Sequence, residues 1–138
     1  MGSLCISNIQ SLKRGALSMP VSHTPRTLKL YRELGYLATV TERWNPYAKI
    51  RQDLFGFIDI LAINDTTCVG IQSTSRGNHL ARREKILSLP AARAWVKMQG
   101  RLIHLISWDM DEDAEDKRGV TRSMWVPRIE VITLEDFG

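Results

Sequence analysis

The chain has little with which to cross-link itself: two cysteines, Cys5 and Cys68, in 138 residues. That is too few for a disulfide framework, the pair has no metal-ligand spacing, and Cys68 reads as a small core residue. The three histidines, His23, His79 and His104, add no His/Cys zinc pattern. No apolar run approaches the roughly 20 residues a membrane helix needs. The opening Met-Gly-Ser-Leu-Cys-Ile-Ser-Asn lacks the charged-then-apolar layout of a secretion signal, so a cytoplasmic protein without a membrane partner is expected. Gly-rich phosphate loops, nucleophile elbows and internal repeats are also missing. Asp109-x-Asp111-x-Asp113 begins like a calcium loop, yet Ala114 and Val120 stand where Gly and Glu are required, which leaves a solvated, mobile acidic loop as the expectation.

What is present suits one globular domain. With 43% hydrophobic and 25% charged residues the chain can bury a core, and residues 24–138 are expected to form it. Residues 1–23, without periodicity and containing Gly15 and Pro20, read as a poorly ordered arm. Thr24-Pro25 starts a helix that carries Leu28, Tyr31 and Leu34 on one face and stops at Gly35. Tyr36–Trp44 alternates as a strand, 57–64 and 68–74 form a hairpin around Asn64-Asp-Thr-Thr, and 76–89 and 90–100 are helical. Leu102–Trp108 and Ser123–Leu134 complete the strands, with Pro127 arguing for a sheet edge. This order implies an α/β fold, a mixed central sheet with helices packed against it.

The hairpin holds the informative residues. Phe57-Ile-Asp59-Ile-Leu-Ala-Ile is apolar enough for a core, but an ionised carboxylate there is expensive to bury without a partner, so Asp59 is expected to face a cation or a cleft. Phe57, Asp59 and Leu61 share one parity and Gly70, Gln72 and Thr74 another, so Asp59 and Gln72 can meet on one face of neighbouring strands, with Gly70 leaving space. One carboxylate is a poor metal site alone. Asp53, Glu42 and Glu33 are the candidates to complete it with hard oxygen ligands that suit Mg2+ or Mn2+.

The order α-β-β-β-α-β, with an Asp on the second strand and a polar-x-polar pair on the third, resembles the PD-(D/E)XK nuclease superfamily of restriction enzymes and Holliday-junction resolvases over roughly residues 25–108. The resemblance implies a restriction-endonuclease-like core and a metal-dependent endonuclease acting on DNA. Ile58-Asp59 stands at the Pro-Asp position, Gln72 at the acidic position and Thr74 at the lysine position that assists the attacking water. A Glu on the first helix often joins the site in that family, which points to Glu33. Gln72 still offers a carbonyl oxygen but no charge, and Thr74 cannot do the electrostatic work of a lysine. A nuclease-fold protein that binds DNA or another protein without cutting is therefore the alternative.

The charge pattern agrees with a polyanionic partner. Net charge is +4, and six acidic residues crowd into Asp109–Asp116, so the rest of the chain is more basic than the total. Arg51, Arg76, Asn78, His79, Arg82 and Arg83 are the expected DNA contacts; His79, Arg82 and Arg83 share one side of their helix beside free amides at its start. The tryptophans are scattered as packing residues, although Trp44 beside Asn45-Pro46 is placed to stack on a base. Oligomeric state stays open, with a homodimer compatible.

Overall fold

Thr24 and Pro25 open helix α1 (Thr24–Glu33), because proline lacks the N–H that a first helical turn leaves without a partner. Gly35, at φ 97°, ends the helix in the left-handed region that a side chain disfavours. The computed structural model describes residues 22–138, so the expected N-terminal arm lies, apart from Ser22 and His23, outside the described residues. His23 is itself buried, edge-on to Trp125 with ring centroids 5.2 Å apart. Tyr31 is buried on the inner face of α1, whereas Leu34, expected beside it, is exposed.

The chain continues through β1 (Leu37–Val40), a short hairpin of β2 (Arg43–Asn45) and β3 (Ile50–Gln52), β4 (Ile60–Ile63) and β5 (Cys68–Ser75). A 3-10 turn (Arg76–Asn78) leads into α2 (His79–Leu87) and α3 (Pro90–Lys97), followed by β6 (Arg101–Glu115), β7 (Thr121–Ile132) and a last 3-10 turn (Leu134–Phe137). Five strands form a mixed sheet in the order β1-β4-β5-β6-β7, and the fold is α/β with helices against the sheet. Among the described residues only β5 and β6 pair in parallel. A parallel pair needs a long crossover, which α2 and α3 supply.

Strand alternation divides the core in two. Ile60, Ala62, Val69, Ile71, Ile106 and Trp108 pack with Tyr31 on the α1 side, while Phe57, Ile58, Ile103, Leu105 and Ile132 pack with Ile86 of α2 and Ala92 of α3 on the other. Each fully buried Ile or Leu contributes about 1.5–3 kcal/mol relative to exposure. The space that Gly70 leaves is filled by protein: a β-carbon there would meet Ile58 side-chain carbons at 3.0 Å.

Two expected boundaries move. The strand read over 36–44 breaks at Thr41-Glu42, because both of their backbone N–H groups turn to the Asp59 carbonyl, at 2.8 and 3.3 Å. The acidic segment expected as a mobile loop is strand, paired with β7 as far as Glu115↔Thr121 with a bulge between Asp111 and Ala114. Backbone pairing and cross-strand polar bonds such as Ser123 Oγ to Glu112 Oε2 at 2.8 Å hold it without a core. Asp109 and Asp111 accept from backbone N–H groups of their own strand. Pro127 lies on edge strand β7, opposite Trp108. Among the described residues no helix is long and apolar enough to cross a membrane.

Candidate functional site

Two consecutive turns of the chain bring three carboxylates together. In the β2–β3 hairpin Arg43 pairs with Gln52, so Glu42 and Asp53 leave its base side by side. The chain then reverses tightly over Leu54–Ile58, with Leu54 N–H donating to the Ile58 carbonyl at 3.0 Å and Gly56 N–H to the Asp53 carbonyl at 3.0 Å. Gly56 takes φ 84° in this reversal, which returns Asp59 to a place beside Asp53. One carboxylate oxygen from each of Glu42, Asp53 and Asp59 lies within 4.8 Å of the other two.

Gln72 closes the group from the adjacent strand. Its Nε2 donates to Asp59 Oδ2 at 2.7 Å and, at 3.5 Å, to Asp53 Oδ2, while Ser73 N–H donates to Asp59 Oδ2 at 3.0 Å. Asp59 and Gln72 are 5% and 2% exposed. Among the described residues, Gln72 Oε1 is the buried side-chain polar atom without a hydrogen-bond partner. A buried acceptor left unpaired costs about 1–3 kcal/mol, so this oxygen is a position that a water or a cation would satisfy.

The electrostatics are those of anions forced together. Burial first, then the hydrogen bond and charge of Asp53, push Asp59 up to about 8; Glu42 adds to the rise and the Ser73 N–H opposes it. Opposite the carboxylates, Lys85 of α2 places Nζ 3.9 Å from Asp53 Oδ2. Arg51 Nη1 lies 3.5 Å from Glu42 Oε1.

Several expected site residues lie elsewhere. Glu33 is exposed on α1 and lines a shallow surface cavity with Lys29 and Arg32, apart from the carboxylate group; Glu42 occupies the place considered for it. The α1 side of the sheet is where Glu33's helix packs, whereas Gln72 shares the parity of Gly70, which abuts Phe57 and Ile58 on the α2 side. Thr74 is buried on the same strand face as Gln72 and brings no charge to the site.

Most members of the expected cationic ridge have partners within the fold. His79 is buried, with Nδ1 2.7 Å from Ser107 Oγ and Nε2 2.8 Å from Glu130 Oε1, so neither nitrogen is available to a phosphate. Arg83 pairs with Glu130 at 2.7 Å and Asp136 at 3.2 Å. Burial works against the Glu130 carboxylate, but hydrogen bonds from Arg83 and His79 outweigh it and hold its pKa below the usual value. Asn78 donates to Ser75 Oγ at 3.1 Å. Arg76 is held by neutral acceptors, Ser107 Oγ at 3.1 Å, the Ser107 carbonyl at 3.4 Å and the Val126 carbonyl at 3.2 Å. Arg76 and Arg128 line a cavity of about 530 Å³ between α2 and β7, and among the described residues neither has a carboxylate within 4 Å. Arg82 is half-buried and likewise has no ion pair among the described residues.

Ser107, His79 and Glu130 have the composition of a nucleophilic triad but not its use. Ser107 is fully buried, and Arg76 Nε donates to its Oγ, which directs the hydroxyl proton to His79 Nδ1 and the His79 Nε2 proton to Glu130. The trio fastens α2 to β6 and β7. Compared with known protein families, curated proteins and solved structures, the chain matches none.

Proposed function

We propose that the chain is a divalent-metal-dependent DNA endonuclease built around Asp59, Asp53, Glu42 and Gln72. The observation that carries this reading is the buried Gln72 amide, whose Oε1 has no partner among the described residues while its Nε2 donates to Asp59 and Asp53 of the crowded carboxylate group. Hydrogen bonding from Nε2 is the best such a group can do with anions alone. A hard cation is what makes three carboxylates and an amide carbonyl compatible, and the all-oxygen donor set fits Mg2+ or Mn2+. Such an ion would neutralise charge on a phosphodiester and lower the pKa of a bound water.

The chain's own groups take the remaining roles. Lys85, on the helix instead of at Thr74, is the cation near enough to favour hydroxide or the developing negative charge. Ser73 N–H and the Thr41 region hold the Asp59 backbone and carboxylate in place. Arg76 and Arg128, without an ion pair among the described residues, are the phosphate contacts we favour over His79 and Arg83. Element order and the antiparallel-then-parallel pairing of β4, β5 and β6 support the nuclease-like core. A cytoplasmic setting, where DNA and magnesium meet, completes the reading.

The test is cleavage of linear, branched and single-stranded DNA with and without Mg2+ or Mn2+. Wild type should cut only with metal, and Asp59→Ala should abolish cutting while leaving DNA affinity unchanged or slightly higher, since a carboxylate repels phosphate. Activity that survives Asp59→Ala would sink the site. Salt-sensitive binding without cleavage on any substrate would leave the non-cutting alternative.

A further inference from the structure

The β2–β3 hairpin is an odd piece of a small protein. It forms its own two-stranded sheet, and almost all of it is exposed. Residues 43–52 carry three cations, Arg43, Lys49 and Arg51, and no acid. They also carry two aromatic side chains that a core would welcome: Trp44 is 55% exposed and Tyr47 is 96% exposed. Two exposed aromatics on one short cationic ribbon form a surface that a partner can cover.

The tip is built to be rigid. Asn45 Oδ1 accepts from Tyr47 N–H at 2.9 Å and from Ala48 N–H at 3.1 Å, Pro46 fixes its own φ, and Lys49 closes the turn at φ 56°. Tyr47 is therefore presented on an ordered turn. Registration then matters. Trp44 and Arg51 are directly opposite each other and so share one face of the ribbon. Glu42 and Asp53, two residues further toward the base on each strand, have the same parity, and their carboxylates meet Asp59 there. Two residues of strand measure about 7 Å, comparable with the step between neighbouring nucleotides of an extended strand.

We propose that the β2–β3 ribbon is a base-stacking arm that holds an unpaired DNA strand across the Glu42–Asp53–Asp59 carboxylates, with Trp44 and Tyr47 as the stacking platforms. The inference rests on the reading that this chain acts on DNA. Charge selects the partner: a ribbon with cations only suits a polyanion, and the single ion pair of the ribbon among the described residues, Arg51 with Glu42, is intramolecular and solvent-exposed. The aromatics select its form. A closed duplex keeps its base faces stacked inside and offers an indole or a phenol no ring to lie on, whereas every unpaired base has a face to stack.

The test is fluorescence anisotropy with a labelled single-stranded oligonucleotide and a duplex of equal length, in chelator, so that metal chemistry plays no part. Each aromatic should be worth at least about fivefold in single-strand affinity, so Trp44→Ala with Tyr47→Ala should lose about 25-fold or more while duplex binding changes less than about twofold. Trp44→Phe with Tyr47→Phe should restore most of the loss, which separates stacking from a folding defect. Equal single-strand binding by wild type and the double alanine variant, parallel loss on both forms, or no single-strand binding by wild type would each overturn the arm. Sedimentation showing a wild-type dimer that the alanine variant dissolves would also overturn it, in favour of an interface between copies. Cleavage is measured separately: an active enzyme whose single-strand binding ignores the aromatics loses only the arm, and a stacking protein that never cuts loses only the nuclease reading.

Discussion

Gln72 Nε2 donates to Asp59 Oδ2 at 2.7 Å, while Oε1 of the same amide accepts from no group among the described residues. The amide thus serves two carboxyl groups, Asp59 and Asp53, as a proton donor and keeps an acceptor in reserve. Gln72→Glu removes the donor and adds a fourth negative group. In chelator this variant should be less stable by roughly 1–3 kcal/mol at neutral pH. Its metal affinity should rise, so that Mg2+ or Mn2+ recovers more stability than it gives wild type. Thermal melts with and without metal read both effects, and a variant indifferent to metal would contradict the assignment.

The pH dependence of the metal-free protein has a definite sign. Burial, then Asp53, raise Asp59 from its ordinary 3.8 to about 8 in the folded state. Between those values the native chain keeps a proton that the unfolded chain has released, so stability falls as pH rises through that window and levels off above it. Each pKa unit corresponds to about 1.4 kcal/mol, and the fall should be of several kcal/mol. Asp59→Asn, permanently neutral, should flatten the curve and be the more stable protein near pH 8. Urea denaturation in chelator across the window decides it; a flat wild-type curve would mean that Asp59 ionises normally.

The strands and their parity were legible because a strand repeats every two residues, so Asp59 and Gln72 could be paired on paper. The sheet class followed from the order of elements. Glu42 and Asp53 could be proposed but not chosen over Glu33, because what joins them is a hairpin register and a five-residue reversal at Leu54–Ile58, and neither leaves a periodic trace. The basic stretch misled for a different reason. Helical spacing correctly put His79 and Arg83 on one side of α2, but that side faces Glu130 on a strand 47 positions beyond Arg83, a contact only the tertiary fold creates. The acidic segment misled by its polarity, since a two-stranded ribbon needs backbone partners more than apolar ones.

His79 should therefore behave as a structural residue. His79→Ala takes one of two side-chain partners from both Ser107 Oγ and Glu130, leaving Arg76 and Arg83 to hold them, and the expected cost is about 1–3 kcal/mol. Metal affinity measured by calorimetry should not change. Arg82→Gln, with no ion pair to lose among the described residues, should stay within about 0.5 kcal/mol of wild type. Chemical denaturation of the two variants gives the comparison, and a stable His79→Ala protein that has lost DNA binding would restore histidine as a phosphate contact.

Lys85 is the residue on which catalysis and mere binding part. Its Nζ lies 3.9 Å from Asp53 although it comes from α2, thirteen positions after Gln72, and under the proposed nuclease reading it would supply the positive charge that Thr74 does not. Lys85→Gln keeps the length of the side chain roughly and removes the charge. Single-turnover cleavage should fall by about 10²–10⁴-fold, the usual contribution of a group that moves or stabilises a proton in the transition state, while metal and DNA affinities change little. Thr74→Lys alone should lower the rate, because Thr74 is buried and a second ammonium would compete with Lys85 for the same carboxylates. In the Lys85→Gln background the same substitution should recover part of the lost rate. Full activity in Lys85→Gln would place the missing cation elsewhere, and rescue by Thr74→Lys without any loss in Lys85→Gln would return the role to the strand.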